Sequence, residues 1–136
     1  SWEEGVLRIE VERDDFAGWL RNVDRKAWSL EVPYQEDGVW KPMFPDMLIV
    51  RKVDAGFEFD ILEPHDDSRK DNIHKAKGLA LFAERHGDKF RRVQMIRKKG
   101  DAYIRLEMNK SAVQTRVRKA STTSEIDSIF EDLATP

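Results

Sequence analysis

The sequence predicts a mixed α/β domain in which a central mixed β-sheet is flanked by helices. Three observations carry this expectation. Met47-Leu-Ile-Val50 is a continuous apolar run of the kind a strand buried on both faces shows. Two pairs of apolar segments, one on either side of Val53-Asp-Ala-Gly56 and one on either side of Lys98-Lys-Gly-Asp101, read as hairpins. Between and after them lie stretches with helical spacing of apolar residues, so helices and strands interleave along one chain.

Taken in order, Trp2, Val6 and Ile9 sit at helical spacing and favour a first helix over residues 2–12, although Leu7, Ile9 and Val11 also alternate. Asp14-Asp15 resembles a cap for a short helix through Trp19-Leu20. Trp28 to Val32 alternates as a strand and ends at Pro33, and Val39-Trp40 pairs back across the turn Gln35-Glu-Asp-Gly38. Met47–Val50 and Phe57–Leu62 form the first main hairpin, with Phe57, Phe59 and Ile61 on a face expected to enter the core. Pro64 to Asp71 is a polar loop, and Asn72 to His86 a helix that stops at Gly87. Its apolar arc is Ile73, Ala76, Leu79, Ala80 and Ala83. Residues 93–96 and 102–108 make the second hairpin, and 110–119 a basic helix. Thr122 followed by Glu125 fits a capping box ahead of a last helix. With no internal repeat, the 136 residues read as a single domain, and the start at Ser1 and stop at Pro136 suggest one excised from a longer polypeptide.

Composition narrows the function classes. The absence of cysteine removes disulfides, thiolate metal sites and Cys nucleophiles, and three histidines make a zinc site improbable. No apolar run reaches the ~20 residues of a membrane span, so a cytoplasmic domain without membrane contact is expected. Residues 1–66 hold 8 Lys/Arg and 16 Asp/Glu, whereas residues 89–119 hold 11 Lys/Arg and only Asp101 and Glu107 as acids. An acidic half and a basic segment suit a site that binds cations and faces a polyanion, or else plainly solvated faces.

The chemistry-bearing constellation is Pro45-Asp46, which opens the buried strand, with Asp60 on its hairpin partner. Two strand carboxylates can hold Mg²⁺ or Mn²⁺, hard cations that also take phosphate oxygens. Register decides whether they cooperate. A two-residue turn pairing Val53 with Gly56 places Asp46 on the face of Glu63. A three-residue loop pairing Val53 with Phe57 places it on the face of Asp60. Asp60 is favoured, with Glu63 as the second candidate ligand. The alternative is that Asp46 merely begins the strand and Asp60 is an exposed face residue.

Phe44-Pro-Asp-Met-Leu-Ile-Val50, Phe59-Asp-Ile-Leu-Glu-Pro-His65 and Asp71-Asn-Ile-His-Lys-Ala-Lys-Gly78 resemble the PD-(D/E)XK nuclease domains attached to helicases in type III restriction enzymes. Gly18-Trp-Leu-Arg-Asn22 is similar to a further segment of such domains, and the resemblance spans residues 14–100. It implies a restriction-endonuclease-like fold and a Mg²⁺-dependent endonuclease acting on nucleic acid, DNA preferred, with a helicase domain in the same polypeptide. It also implies a third metal ligand from the N-terminal region, for which Glu10 is the candidate. One departure stands out: where the family has acid-x-Lys, this chain has Asp60-Ile61-Leu62. The lysine is then expected from the following helix, Lys77 first and Lys75 second, both flanking the apolar arc.

His65, with Asp66, would sit at the mouth of such a site, either orienting substrate or fixing the loop around Pro64. Asn22 is a candidate brace behind it. Arg91, Arg92, Lys98, Lys99, Arg116, Arg118 and Lys119 are candidates for phosphate contacts. Trp19 and Trp40 are either base-stacking residues or, more commonly for tryptophan in a small domain, core. Two other readings compete: a catalytically inactive nucleic-acid-binding module of the same fold, favoured by Leu62, and an interaction domain without a nucleic-acid role.

Overall fold

The computed structural model describes residues 1–65 and 72–136; Asp66 and Asp71, named above, lie outside the described residues. Helix α1 spans Trp2–Val11. The Ser1 hydroxyl accepts the Glu4 N–H at 3.3 Å, satisfying one of the donors a helix start leaves open. Strand β1 (Phe16–Arg21) follows, where the Asp14-Asp15 signal had pointed to a helix. Cross-strand pairing overrides that local signal: the Asp15 carboxylate accepts from Arg51 and Arg91 instead of capping. The Asp15 carbonyl takes the Lys52 N–H at 2.8 Å.

Strands β2 (Val32–Glu36) and β3 (Val39–Met43) form a separate two-stranded ribbon. Its turn residues, Asp37 (φ 51°) and Gly38 (φ 78°), are both left-handed, which matches the twist of the flanking strands. The strand expected over residues 28–32 begins only at Val32. Pro33 lies within it and faces Pro42 across the ribbon; a ribbon with two outer edges tolerates the missing donors.

Strands β4 (Met47–Val53) and β5 (Gly56–Pro64) form the central hairpin. Helix α2 (Asn72–His86) and a 3₁₀ turn (Gly87–Lys89) lead to β6 (Arg92–Lys99) and β7 (Ala102–Glu107). Helices α3 (Ser111–Lys119) and α4 (Thr123–Leu133) close the order, with Thr122 accepting the Glu125 N–H as the capping box predicts. The main sheet runs β1-β4-β5-β6-β7. β5 and β6 are parallel and the other neighbours antiparallel, so α2 is the crossover that a parallel pair requires. The domain is therefore mixed α/β, a central mixed sheet flanked by helices. Among the described residues no helix is long and apolar enough to cross a membrane.

On one face of the sheet, Val6 of α1 packs with Met47, Ile49, Leu62 and Ile96. On the other, the expected arc of α2 joins Ile61, Val93, Met95 and Leu106 with α3 and α4. Phe57 and Phe59 do not enter this core. They are 62% and 44% exposed, because the buried stretch of β5 begins only at Asp60. Trp19 and Trp40 are exposed as well.

The central turn is the two-residue kind: Val53 pairs with Gly56, Ile49 with Asp60 and Met47 with Leu62. Asp60 consequently shares the α1 face of the sheet with Arg51 and Ile49 and lies across the sheet from Glu63. There it accepts from Arg51 and, at 2.8 Å, from Arg92. Glu10 reaches the same cluster from α1, held by Arg51, by Arg92 at 2.8 Å and by Arg105 at 2.8 Å, with Arg13 at 3.1 Å. Burial alone would raise the Glu10 carboxyl. The hydrogen bond and charge of Arg92, with the charges of Arg105 and Arg13, outweigh it and hold the group at about 2.

Arg51, 1% exposed, links Glu10, Asp15 and Asp60. Removing one partner of such a buried network leaves the remaining charges stranded, which costs about 3–5 kcal/mol. Arg51→Met should therefore lose stability of about that size in urea unfolding. A loss below about 1 kcal/mol would mean that the network contributes no more than surface ion pairs do.

Candidate functional site

The register that buries Asp60 among arginines brings a different pair together. Asp46, immediately before β4, stands opposite Glu63 near the end of β5, and its backbone N–H donates to Glu63 Oε2 at 2.9 Å. Glu63 and His65 lie two residues apart and so project toward the same side, with His65 Nδ1 3.5 Å from Glu63 Oε1. Both are nearly fully buried. A cavity of about 290 Å³ opens there, lined by Ser1, Glu3, Glu63, His65 and Lys75 among others. A neighbouring cavity of about 310 Å³ carries Asp46, Glu3 and Arg21. The carboxylates thus gather where the start of α1 meets the end of the central hairpin.

Electrostatics mark this corner. Burial pushes the Asp46 carboxyl up to about 8, and the charges of Glu63 and Glu3 add to it against a smaller opposing effect of Arg21. The negative charge of a neighbouring carboxylate disfavours ionisation of a half-buried one, so Asp46 is held protonated into the neutral range. Glu3 itself pairs with Arg21 at 2.9 Å.

Asn22 is buried beside the start of β4. Its side chain exchanges two 2.8 Å hydrogen bonds with the backbone of Leu30. Its own N–H donates to the Asp46 carbonyl at 3.0 Å. The loop ahead of the ribbon and the start of β4 are tied together through this one residue.

Several expected site residues lie elsewhere. Asp60 and Glu10, expected as metal ligands, are neutralised by arginines on the α1 face. Lys77, placed first among the helix lysines, donates to the Ala120 carbonyl at 2.7 Å and lines a cavity with Tyr34 and Trp40 rather than with the carboxylates. Lys75 is the lysine that lines the carboxylate cavity, with its Nζ 6.0 Å from the Tyr34 ring centre. Leu62, where a motif lysine was sought, is fully buried against α1. The acid-x-base segment that faces the cavity is Glu63-Pro64-His65.

The basic residues are dispersed and largely paired. Arg91 binds Asp15, Arg92 binds Glu10 and Asp60, Arg116 binds Asp132 at 3.0 Å and Arg118 binds Glu84. Lys98 and Lys99 are exposed where β6 turns into β7, and Lys119 is exposed at the end of α3. They do not form one face. Glu3 went unnoticed in the sequence because nothing in the spacing of α1 distinguishes it from Glu4 or Glu10.

Two oxygen donors from Asp46 and Glu63 suit a hard divalent ion, since Mg²⁺ commonly takes one or two carboxylates and completes its shell with water and phosphate oxygens. Among the described residues no group of three or more His, Asp or Glu side chains is arranged to hold a metal. The fit is a two-carboxylate one.

The raised Asp46 value has a stability consequence. Unfolding returns the group to its ordinary 3.8. Between about pH 4 and pH 8 the folded state then holds more proton than the unfolded state, and stability must fall as pH rises through that window. Asp46→Asn removes this contribution. Urea midpoints across the same window should decline more steeply for the wild type than for the variant, and parallel declines would show that Asp46 titrates normally.

The chain belongs to the YagJ family, whose pattern matches residues 1–135. It is 33% identical over 127 residues to Protein YagJ of Escherichia coli (strain K12), in an alignment that covers 92% of this chain and 52% of that protein. The chain spans about half the length of that curated relative. No solved structure matches the chain.

Proposed function

We propose that this domain is a metal-dependent phosphodiesterase, a PD-(D/E)XK-type endonuclease domain in which Asp46 and Glu63 hold Mg²⁺ or Mn²⁺. One observation carries the reading. Asp46 and Glu63 stand opposite each other at the sheet's end, near enough for the Asp46 N–H to meet Glu63 Oε2 and for the Glu63 charge to raise the Asp46 carboxyl, and Glu63 lines a cavity with His65 and Lys75. The resemblance asks for acid-x-Lys on the strand next to Pro-Asp. Glu63-Pro64-His65, opposite Asp46 in the observed register, is acid-x-His and departs from that pattern; we read His65 as standing in for the lysine, with Lys75 of α2 beside it in the cavity. A mixed sheet flanked by helices is compatible with the restriction-endonuclease-like architecture.

In this reading a bound divalent ion supplies Lewis-acid stabilisation of charge on the phosphate oxygens. The protein's own groups do the rest. Asp46 and Glu63 would hold the ion, and Asp46, its carboxyl pushed up to about 8, would give up its proton to solvent as it does so. His65 orients Glu63 from 3.5 Å. Lys75 offers its ammonium to negative charge developing on the phosphate. DNA is the preferred substrate, and a helicase within a longer polypeptide is the partner that the resemblance suggests.

Mn²⁺ binding and plasmid cleavage test the proposal together. Asp46→Asn and Glu63→Gln should each abolish Mn²⁺ binding and lower cleavage at least ~100-fold, the size of loss expected when a charge-stabilising group is removed. Lys75→Ala should lower cleavage with Mn²⁺ binding intact, and Lys77→Ala should leave Mn²⁺ binding intact and lower cleavage less than Lys75→Ala does. Wild-type protein that binds DNA without binding Mn²⁺ or cutting would instead establish the inactive nucleic-acid-binding module.

A further inference from the structure

The ribbon β2–β3 leans on α2 at Gly78, where an added Cβ would overlap Tyr34. This close approach leaves a cavity of about 360 Å³ and another of about 180 Å³ between ribbon and helix, and Trp40, Gly78 and Leu81 line both. Trp40 faces the same side of the ribbon as its cross-strand partner Gln35, away from the buried Tyr34. Its indole is 57% exposed at the junction of the two cavities. Leaving so large an apolar group in water forgoes the stabilisation that burial would give. It is the more notable because the core of the domain lies directly behind the ribbon.

The polar lining indicates an occupant. His74, Lys77 and Arg118 line the larger cavity against Asp37, and Arg85 and His86 line the smaller against Glu31. Arg118 also pairs with Glu84 at an exposed position, where phosphate can compete for the guanidinium. Lys77 spends one donor on the Ala120 carbonyl and retains two more. An exposed indole flanked by cations is the pairing that single-stranded nucleic acid uses, bases stacking on the ring and phosphates meeting the charges. A paired base keeps its faces against its neighbours and cannot stack in this way, whereas an unpaired one can.

The carboxylate corner adjoins this groove across the buried Tyr34. Lys75 lines the Glu63–His65 cavity and lies 6.0 Å from the ring centre of Tyr34, which lines the Trp40 cavity. We infer that the groove between the β2–β3 ribbon and α2 binds an unpaired segment of a nucleic-acid strand by stacking a base on Trp40. The inference rests on the phosphodiesterase reading in taking this segment as part of the same substrate, and it makes that substrate single-stranded beside the scissile position.

Fluorescence anisotropy of a labelled single-stranded oligothymidylate, measured with the 136-residue chain in EDTA, isolates binding from metal and cleavage. Trp40→Ala should weaken binding about tenfold, as loss of one stacked base does, and Trp40→Phe should retain most of the affinity. Trp28→Ala, which removes an equally exposed indole elsewhere, should bind as the wild type does, and affinity should fall with added salt. No oligonucleotide binding, equal binding by wild type and Trp40→Ala, or a preference for the matching duplex would each overturn the inference. Trp40-dependent binding without Mn²⁺-dependent cleavage would uphold the groove and reject the nuclease reading. Cleavage with Trp40-independent binding would do the reverse.

Discussion

The two-residue turn at Asp54-Ala55 is the constraint from which the chemistry of this domain follows. Because Val53 pairs with Gly56, every side chain of β5 is assigned to a face, and a slip of one residue would exchange them. Gly56 adopts φ 141°, a left-handed conformation that a side chain would strain. The glycine, more than any property of the acids themselves, therefore decides which carboxylates are stranded together and which are neutralised.

The two resulting clusters make a physical contrast. On the α1 face, Glu10 and Asp60 are more deeply buried than Asp46, yet guanidinium groups compensate them, and Glu10 is held strongly acidic. At the sheet's end, burial and the charges of Glu63 and Glu3 outweigh the opposing charge of Arg21, and Asp46 is driven the opposite way. Burial is common to both sites; the local balance of charge separates a neutralised ion network from a corner where a carboxyl is pushed up. The buried arginine network gives α1 a fixed station over the sheet. That station in turn presents Ser1 and Glu3 to the carboxylate cavity.

Most elements were legible because their signals were local. The apolar run at 47–50, the arc on α2 and the Thr122–Glu125 cap each rest on periodicity or capping chemistry within a few residues, and each is where the sequence places it. Asp46 and its two alternative partners were legible for the same reason. Choosing Glu63 over Asp60 was not, since it turns on one residue of loop length that composition does not reveal. β1 escaped notice because its pairing with β4 is tertiary and its own Asp14-Asp15 prefix imitates a helix cap. Asp60 and Glu10 read as ligands because the arginines that claim them, Arg51, Arg92 and Arg105, come from three different strands. Phe57 and Phe59 read as core because alternation assigns a face but not how far along it the helices extend.

The facing prolines of the small ribbon carry a consequence of their own. Neither Pro33 nor Pro42 can donate a ladder hydrogen bond, so the two occupy a non-bonded position where each backbone nitrogen turns outward. Both outer rims of the ribbon thereby lose a donor at mid-length, and an approaching extended chain would find a broken template. The ribbon is protected from growing into a larger sheet or joining a neighbour's, and it persists as a short, stiff arm laid along α2.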